Sequence, residues 1–393
     1  MIVSLIGLVI SLFAYLLAFP NPQQRRFDIY LCLLALHLVA TIGYWLLSFE
    51  SAMDAFTYYR DPFDFKSRDP LESGTYFIVH VDQTIRQVLG GSFLDHFLFF
   101  QCFGMVAIAL LIRSFNEIAH SLGIAVPVHA YMLLFLPGLH FWSSAIGKDA
   151  PMFLAVSLTC WASLRIQKRA VWMVPALVLM ALIRPHVGAI VLAAVVGALM
   201  FSKQMAARNK ILLAPLVFVG FIFALLKTAE MFRLDLNPES FSDFVDKTQD
   251  LGDRFGSGAD LQSLPLPAKI FSLLFRPMFV DGTGMMHLAA SVENVVLLGI
   301  FLYIAFHWKL LFKLCRNVFY MSYLTMYSTA LILLLSMINY NIGLGQRQKM
   351  MAIPAVLMIC ASILMYKRYL AAASRPVPVL PQDQTPRVAM TGA

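Results

Sequence analysis

Charge is what this sequence has least of. Asp, Glu, Lys and Arg make up only 13% of the 393 residues, against about a quarter in soluble domains. Hydrophobic residues make up 60%, and the mean hydropathy is +0.74. That composition excludes an ordinary soluble globular protein. Apolar runs of about 20 residues, the length that crosses a bilayer, recur along nearly the whole chain, so one helical membrane domain is expected. Cysteine is scarce as well. Cys32, Cys102, Cys160, Cys315 and Cys360 lie in or beside apolar runs, without metal-ligand spacing or a pair in a long polar loop, which argues against disulfides and zinc. The first run, Met1 to Phe19, has no basic leader and is followed by "PNPQQRRF", so it is expected to be a retained helix and not a cleaved signal. No strong internal repeat is present. The net charge of +8 fits the basic loops that membrane insertion requires, and no nucleic-acid partner is implied.

What is present is a series of apolar segments: 1–19, 29–49, 92–113, 124–146, 150–166, 171–183, 187–202, 211–228, 287–307, 317–338 and 350–366. The reading is all-α and polytopic, with about 11 transmembrane helices over residues 1–370. Arg25 and Arg26, Arg113, Arg165 to Arg169, Lys203 to Lys210, Lys309 to Arg316, and Lys367 with Arg368 follow every second segment. The positive-inside rule then places the N-terminus outside and the C-terminus in the cytoplasm. Outer loops are expected at 50–91 and 229–286, and a Pro-rich, disordered cytoplasmic tail at 371–393. In this topology all acidic residues but Asp28, Glu117 and Asp383 lie on the outer side. Residues 171–202 read as two short helices meeting at "IRPH", because a single kinked crossing would invert every later loop. The thirteen residues 171–183 rise only about 20 Å, which would set Arg184 and His186 below the outer surface. The stretch "LPAKIFSLLFRPMF" reads as amphipathic and membrane-associated.

Short outer loops should be poor in Lys and Arg, yet Lys148, Arg184, Arg347 and Lys349 occupy three of them, and Arg276 lies in the amphipathic piece. An ionisable group at membrane depth normally faces a cavity and has a partner. Cations gathered there suit an anion, and Arg grips phosphate oxygens bidentately. Simpler readings exist for each. Asp149 suits a helix cap with Pro151 in the first turn, and Lys148 suits a pair with it or snorkelling. Arg184 suits bonding to carbonyls freed by the break, while Arg276, Arg347 and Lys349 suit lipid headgroups. In "ESAMDAFTYYRDPFDF", Asp54 follows the second segment and Tyr58 shares its face at i, i+4, which places a carboxylate able to take a proton near the cations. Asp61, Asp64 and Asp69 read as solvated, and His80 and His96 receive no role.

Taken in order, "DAFTYY", "FWSSAIGKD", "LIRPH", "LFRP" and "NIGLGQRQKM" resemble the motif series of Wzy/EpsG-like polysaccharide polymerases and GT-C-type membrane glycosyltransferases, over roughly residues 50 to 360. The resemblance implies action on undecaprenyl-linked sugars at the outer face of the bacterial inner membrane, in exopolysaccharide, capsule or O-antigen synthesis. It implies a polyprenyl-linked sugar donor, a saccharide acceptor, membrane lipids and other export proteins as partners. It makes Asp54 the candidate base, with Asp149 as the alternative. It sets Lys148, Arg184, Arg276 and Arg347 around the lipid phosphate, with Tyr58 and His186 beside the substrate. Lys349 stands where the resembling pattern has a second Arg, giving a point charge and no fork. No cofactor is implied, and a divalent metal is left open. The competing class is a transporter or flippase of a lipid-linked anionic saccharide, in which the same charges bind without catalysis and a break such as Arg184–Pro185 serves alternating access.

Overall fold

The computed structural model describes residues 1–50, 53–62, 64–201, 261, 263–339 and 341–373, with single residues and a short helical stretch between 208 and 226. The expected segment 211–228 lies largely outside the described residues, as do residues 229–260 of the second loop and residues 374–393 of the tail. Every described element is helical. Among the described residues six helices are long and apolar enough to cross a membrane: α2 (Phe27–Glu50), α5 (Phe93–Ser121), α9 (Ile166–Ile183), α12 (Met285–Phe306), α14 (Phe319–Ile338) and α16 (Ile353–Ala373). Shorter apolar helices join them: α1 (Ile2–Ala18), α10 (Pro185–Phe201) and α11 (Leu266–Phe275). The chain is a multi-pass helical membrane protein.

The most buried of the six is α5, whose 29 residues extend about 43 Å at ~1.5 Å each. It starts with a capping box, in which Ser92 accepts from the Asp95 amide and the Asp95 carboxylate accepts from Ser92. Helix α1 lies against it through Ser4, Gly7, Ser11, Ala14 and Ala18, a stripe of small residues three or four apart that lets two backbones approach closely. A Cβ at Gly7 would collide with the α5 backbone at Leu98 and Phe99. Gln101 of α5 donates to the Ser11 hydroxyl at 2.9 Å, and Ser4 donates to Asp95 at 2.6 Å. The other face of α5 receives α8 (Asp149–Ser163), which forms a tight antiparallel pair with α9. Helix α10 packs on α14, and α14 on α16.

Several boundaries differ from the sequence reading. Residues 124–146 do not make one helix. Pro127 and Pro137 divide them into α6 (Val128–Met132), a 3-10 turn (Leu133–Phe135) and α7 (Pro137–Trp142). Helix α9 starts at Ile166, not 171, and its 18 residues rise about 27 Å, so the short-helix argument for sinking Arg184 does not hold. The break at Arg184–Pro185 is present as expected. The loop 50–91 contains α3 (Asp54–Arg60) and α4 (Thr75–Leu89). The amphipathic helix α13 (Trp308–Asn317), carrying Lys309, Lys313 and Arg316, follows α12 where a loop was expected. The short α15 (Ile342–Lys349) precedes α16, which continues to Ala373 and so takes up the first residues of the expected tail.

Two ends of the bundle result. At one, Asn116 of α5 donates to the Ala18 carbonyl, Glu117 binds Arg169, and Lys367 meets His307. At the other, the Gly74 amide donates to the Leu182 carbonyl and Lys148 donates to Thr75. A leucine at position 7 in place of glycine must push α1 off α5. We expect Gly7→Leu to lower stability by about 1–3 kcal/mol, read as a drop in thermal unfolding temperature of the purified protein.

Candidate functional site

The charges that break the loop rule meet at the second end. Asp149 is the first residue of α8, where the helix dipole favours a carboxylate. It takes an ion pair from Arg184, at 2.9 Å, and a hydrogen bond from the Arg347 Nε. Arg184 is placed by the α9–α10 break, whose Pro185 cannot continue α9, and it also donates to the Met351 sulfur at 3.0 Å. Arg347 is placed by α15, capped by the Asn341 side chain, which accepts from the Gly343 and Leu344 amides. The second arm of Arg347 reaches Asp54, the first residue of α3.

Around this core, Lys148 donates to the Thr75 hydroxyl at 3.1 Å, and Tyr58 is fully packed beside Gly147 and Arg347. His186, partly buried on the first turn of α10, lies within electrostatic reach of Arg184 and Lys148. Burial, with Arg184 and Arg347 beside it, pushes the Lys148 ammonium down to about 8. Exposure separates the two carboxylates. The Asp149 side chain is 12% exposed and that of Asp54 is 50% exposed. Three cations against two carboxylates leave one positive charge in surplus. A small cavity, with room for about one water molecule, adjoins Asp149 and Arg347 between Trp142, Ser143, Phe153 and Met350.

Arg276 and Lys349 are not part of this cluster. Arg276 is paired with Asp281 at 2.5 Å, which holds that carboxyl below the usual carboxylate range, and its carbonyl accepts from Gln346 at 2.6 Å. Lys349 is fully buried and donates to the Leu274 carbonyl at 2.9 Å and the Asn294 side chain at 2.5 Å. Both therefore tie α11, α12 and α15 together. Sequence reasoning missed Thr75, Asp281, Asn294 and the buried Glu293. The last two interrupt an apolar run as "SVENVVLL", and an ionisable residue inside a spanning segment is itself a signal. Among the described residues no three His, Cys, Asp or Glu side chains group as a metal site would require. No protein-family model, curated protein or solved structure matches the chain.

The class that fold and site define is thus a polytopic helical membrane protein with a paired charge cluster at one end. Removing Asp149 leaves Arg184 enclosed without a carboxylate and Arg347 with only the half-exposed Asp54, whereas removing Asp54 leaves both arginines on Asp149. We expect Asp149→Ala to cost about 3–5 kcal/mol and Asp54→Ala under about 1 kcal/mol, compared by thermal unfolding in detergent.

Proposed function

We propose that the chain is a membrane glycosyltransferase or polysaccharide polymerase that uses polyprenyl-(pyro)phosphate-linked sugars at the outer face of the bacterial inner membrane. The observation that supports this reading most is the meeting of Lys148, Arg184 and Arg347 with a half-exposed carboxylate, Asp54, from four separate parts of the chain. The positive-inside rule assigns the end with Arg25, Arg113, Arg169 and Lys367 to the cytoplasm, which puts the cluster outside.

In this mechanism the donor phosphate takes the place of Asp54 on Arg347, since that contact is the most exposed of the set. Asp149, enclosed and shared by two arginines, keeps both guanidinium groups aimed and is a positioning residue. Asp54, released, accepts the proton of the acceptor hydroxyl as that oxygen attacks the anomeric carbon. The bond from that carbon to the phosphate oxygen breaks, and Arg347, Arg184 and Lys148 stabilise the charge developing on the departing phosphate. Tyr58, packed beside Arg347, and His186, near Arg184 and Lys148, border the cations that take the phosphate. Membrane lipids, the saccharide acceptor and export proteins are the partners this reading entails.

A second reading, a transporter or flippase of the same lipid-linked anion, is favoured by one observation. The chain from α6 to α7 is interrupted inside the bundle, and Glu293 of α12 accepts the Gly138 amide freed by the break. Discontinuous helices of this kind also build transporter sites.

Asp54→Asn is expected to abolish turnover while donor binding persists; continued turnover would remove Asp54 as the base. Arg184→Ala and Arg347→Ala, at normal protein level, are expected to stop polymer formation in cells, and unchanged polymer length and amount would sink the transferase reading. Movement of lipid-linked sugar between leaflets by the purified protein, without extension, would establish the transporter instead. Raising the pH through about 8 takes the proton from Lys148 and with it the surplus positive charge. Donor affinity is therefore expected to fall between about pH 7 and 9, and Lys148→Arg, charged throughout, to abolish that fall in a binding titration.

A further inference from the structure

The basic end of the bundle holds a cavity that the proposed reaction does not use. It measures about 200 Å³ and is lined by Gln24, Arg25, Arg26, Asn116, Ile124 and Tyr131 among others. A neighbouring cavity of about 360 Å³ shares Ile124 and Ala125 and reaches Arg368 near the end of α16. The floor is fixed. Tyr131 donates to the Asn116 side chain at 2.7 Å, and Asn116 donates to the Ala18 carbonyl at 3.2 Å.

The cations around this space differ in how far they are neutralised. Arg26 is held by Asp28 through two hydrogen bonds, at 3.0 and 2.7 Å. Arg25 meets the Tyr15 ring at 5.9 Å, and neither it nor Arg368 has a carboxylate partner among the described residues. Two exposed guanidinium groups thus stand at two adjoining cavities that share Ile124 and Ala125, Arg25 beside Gln23 and Gln24 in one and Arg368 in the other. Ile124 to Val126 give the lining an apolar part. A free small anion has no use for that part, whereas a phosphodiester joined to a glycerol and acyl chains has. Arg forks match phosphate oxygens in number and plane.

We infer that these two adjoining cavities seat the headgroup of an anionic membrane phospholipid, its phosphate between Arg25 and Arg368 and the start of its acyl chains against Ile124 to Val126. The site needs only the membrane-spanning fold and does not depend on the proposed transferase activity.

The test uses the full-length protein in detergent with phosphatidylglycerol, and counts retained lipid by native mass spectrometry. Arg25→Gln with Arg368→Gln is expected to weaken retention about 25-fold, at about fivefold for each basic residue near an anionic headgroup. Ala125→Trp, which fills the space and keeps both arginines, is expected to weaken it as well. Lys309→Gln with Lys313→Gln, an equal loss of charge on α13, is expected to leave it unchanged. Wild-type retention by the arginine pair overturns the site, as does equal loss in the α13 control, which would mean unspecific attraction. Inorganic phosphate that displaces the lipid at equal concentration would overturn the lipid assignment. Should Ala125→Trp fail to fold, the arginine pair, on exposed side chains, decides alone.

Discussion

Asp149 holds two guanidinium groups at once, and the geometry of one end of the bundle depends on that double contact. A charge enclosed in protein is tolerable only when paired. Arg184 cannot leave the α9–α10 junction, and Arg347 cannot leave α15, so the carboxylate that satisfies both must sit where the two approach. This places the start of α8, and Lys148 just before it, against the end of α9 and the start of α4. Thr75 and Gly74 then close over the junction through Lys148 and the Leu182 carbonyl. Sequence supplies this through local rules. Pro185 ends α9 at Arg184, and Asn341 starts α15 in a way that turns Arg347 inward.

A second polar system lies deeper and has a different logic. The break between α6 and α7 frees backbone groups inside the bundle, and each needs a partner from within the protein. Glu293 accepts the Gly138 amide, and the Leu134 carbonyl accepts from His140, whose other ring nitrogen faces His37 at 3.2 Å. Lys349, two residues from Arg347 on α15, occupies the Leu274 carbonyl and Asn294. The short helix α15 therefore joins the two systems. Its Arg points to the carboxylate cluster and its Lys to the helix-end carbonyls, so a shift of α15 would disturb both.

The apolar runs made the spanning helices legible, and Arg184–Pro185 made the break between α9 and α10 legible, because both are local. The meeting of Lys148, Arg184 and Arg347 was foreseen from their violation of the loop rule. What could not be read was who neutralises whom. Arg276 shares the sequence signature of the other cations, but Asp281, five residues on, takes both its arms. Such a local pair was available in the sequence, yet nothing there ranks it above a long-range partner. The division of 124–146 was missed because an apolar run hides a broken helix when its freed groups are satisfied by a distant residue, here Glu293. The start of α9 at Ile166 was missed because Lys168 and Arg169 looked like a loop. In the structure Arg169 lies on the Trp161 ring at 4.0 Å and binds Glu117, and both keep it within a helix.

In a chain this poor in charge, the surplus at a given place carries more information than the presence of charge. Glu117 at the basic end receives Arg113, Arg165 and Arg169, as Asp149 receives two arginines at the other end. Each carboxylate is shared, so each end retains unmatched cations, and shared carboxylates are the enclosed ones. The half-exposed Asp54 departs from that pattern, since it meets a single arginine that already has another partner. Its loss from Arg347 leaves no buried charge unpaired, while loss of Asp149 leaves the enclosed Arg184 without a carboxylate. An anion arriving at this end therefore meets one contact that can open at small cost and a frame behind it that cannot. That inequality gives an otherwise closed cluster a direction of entry.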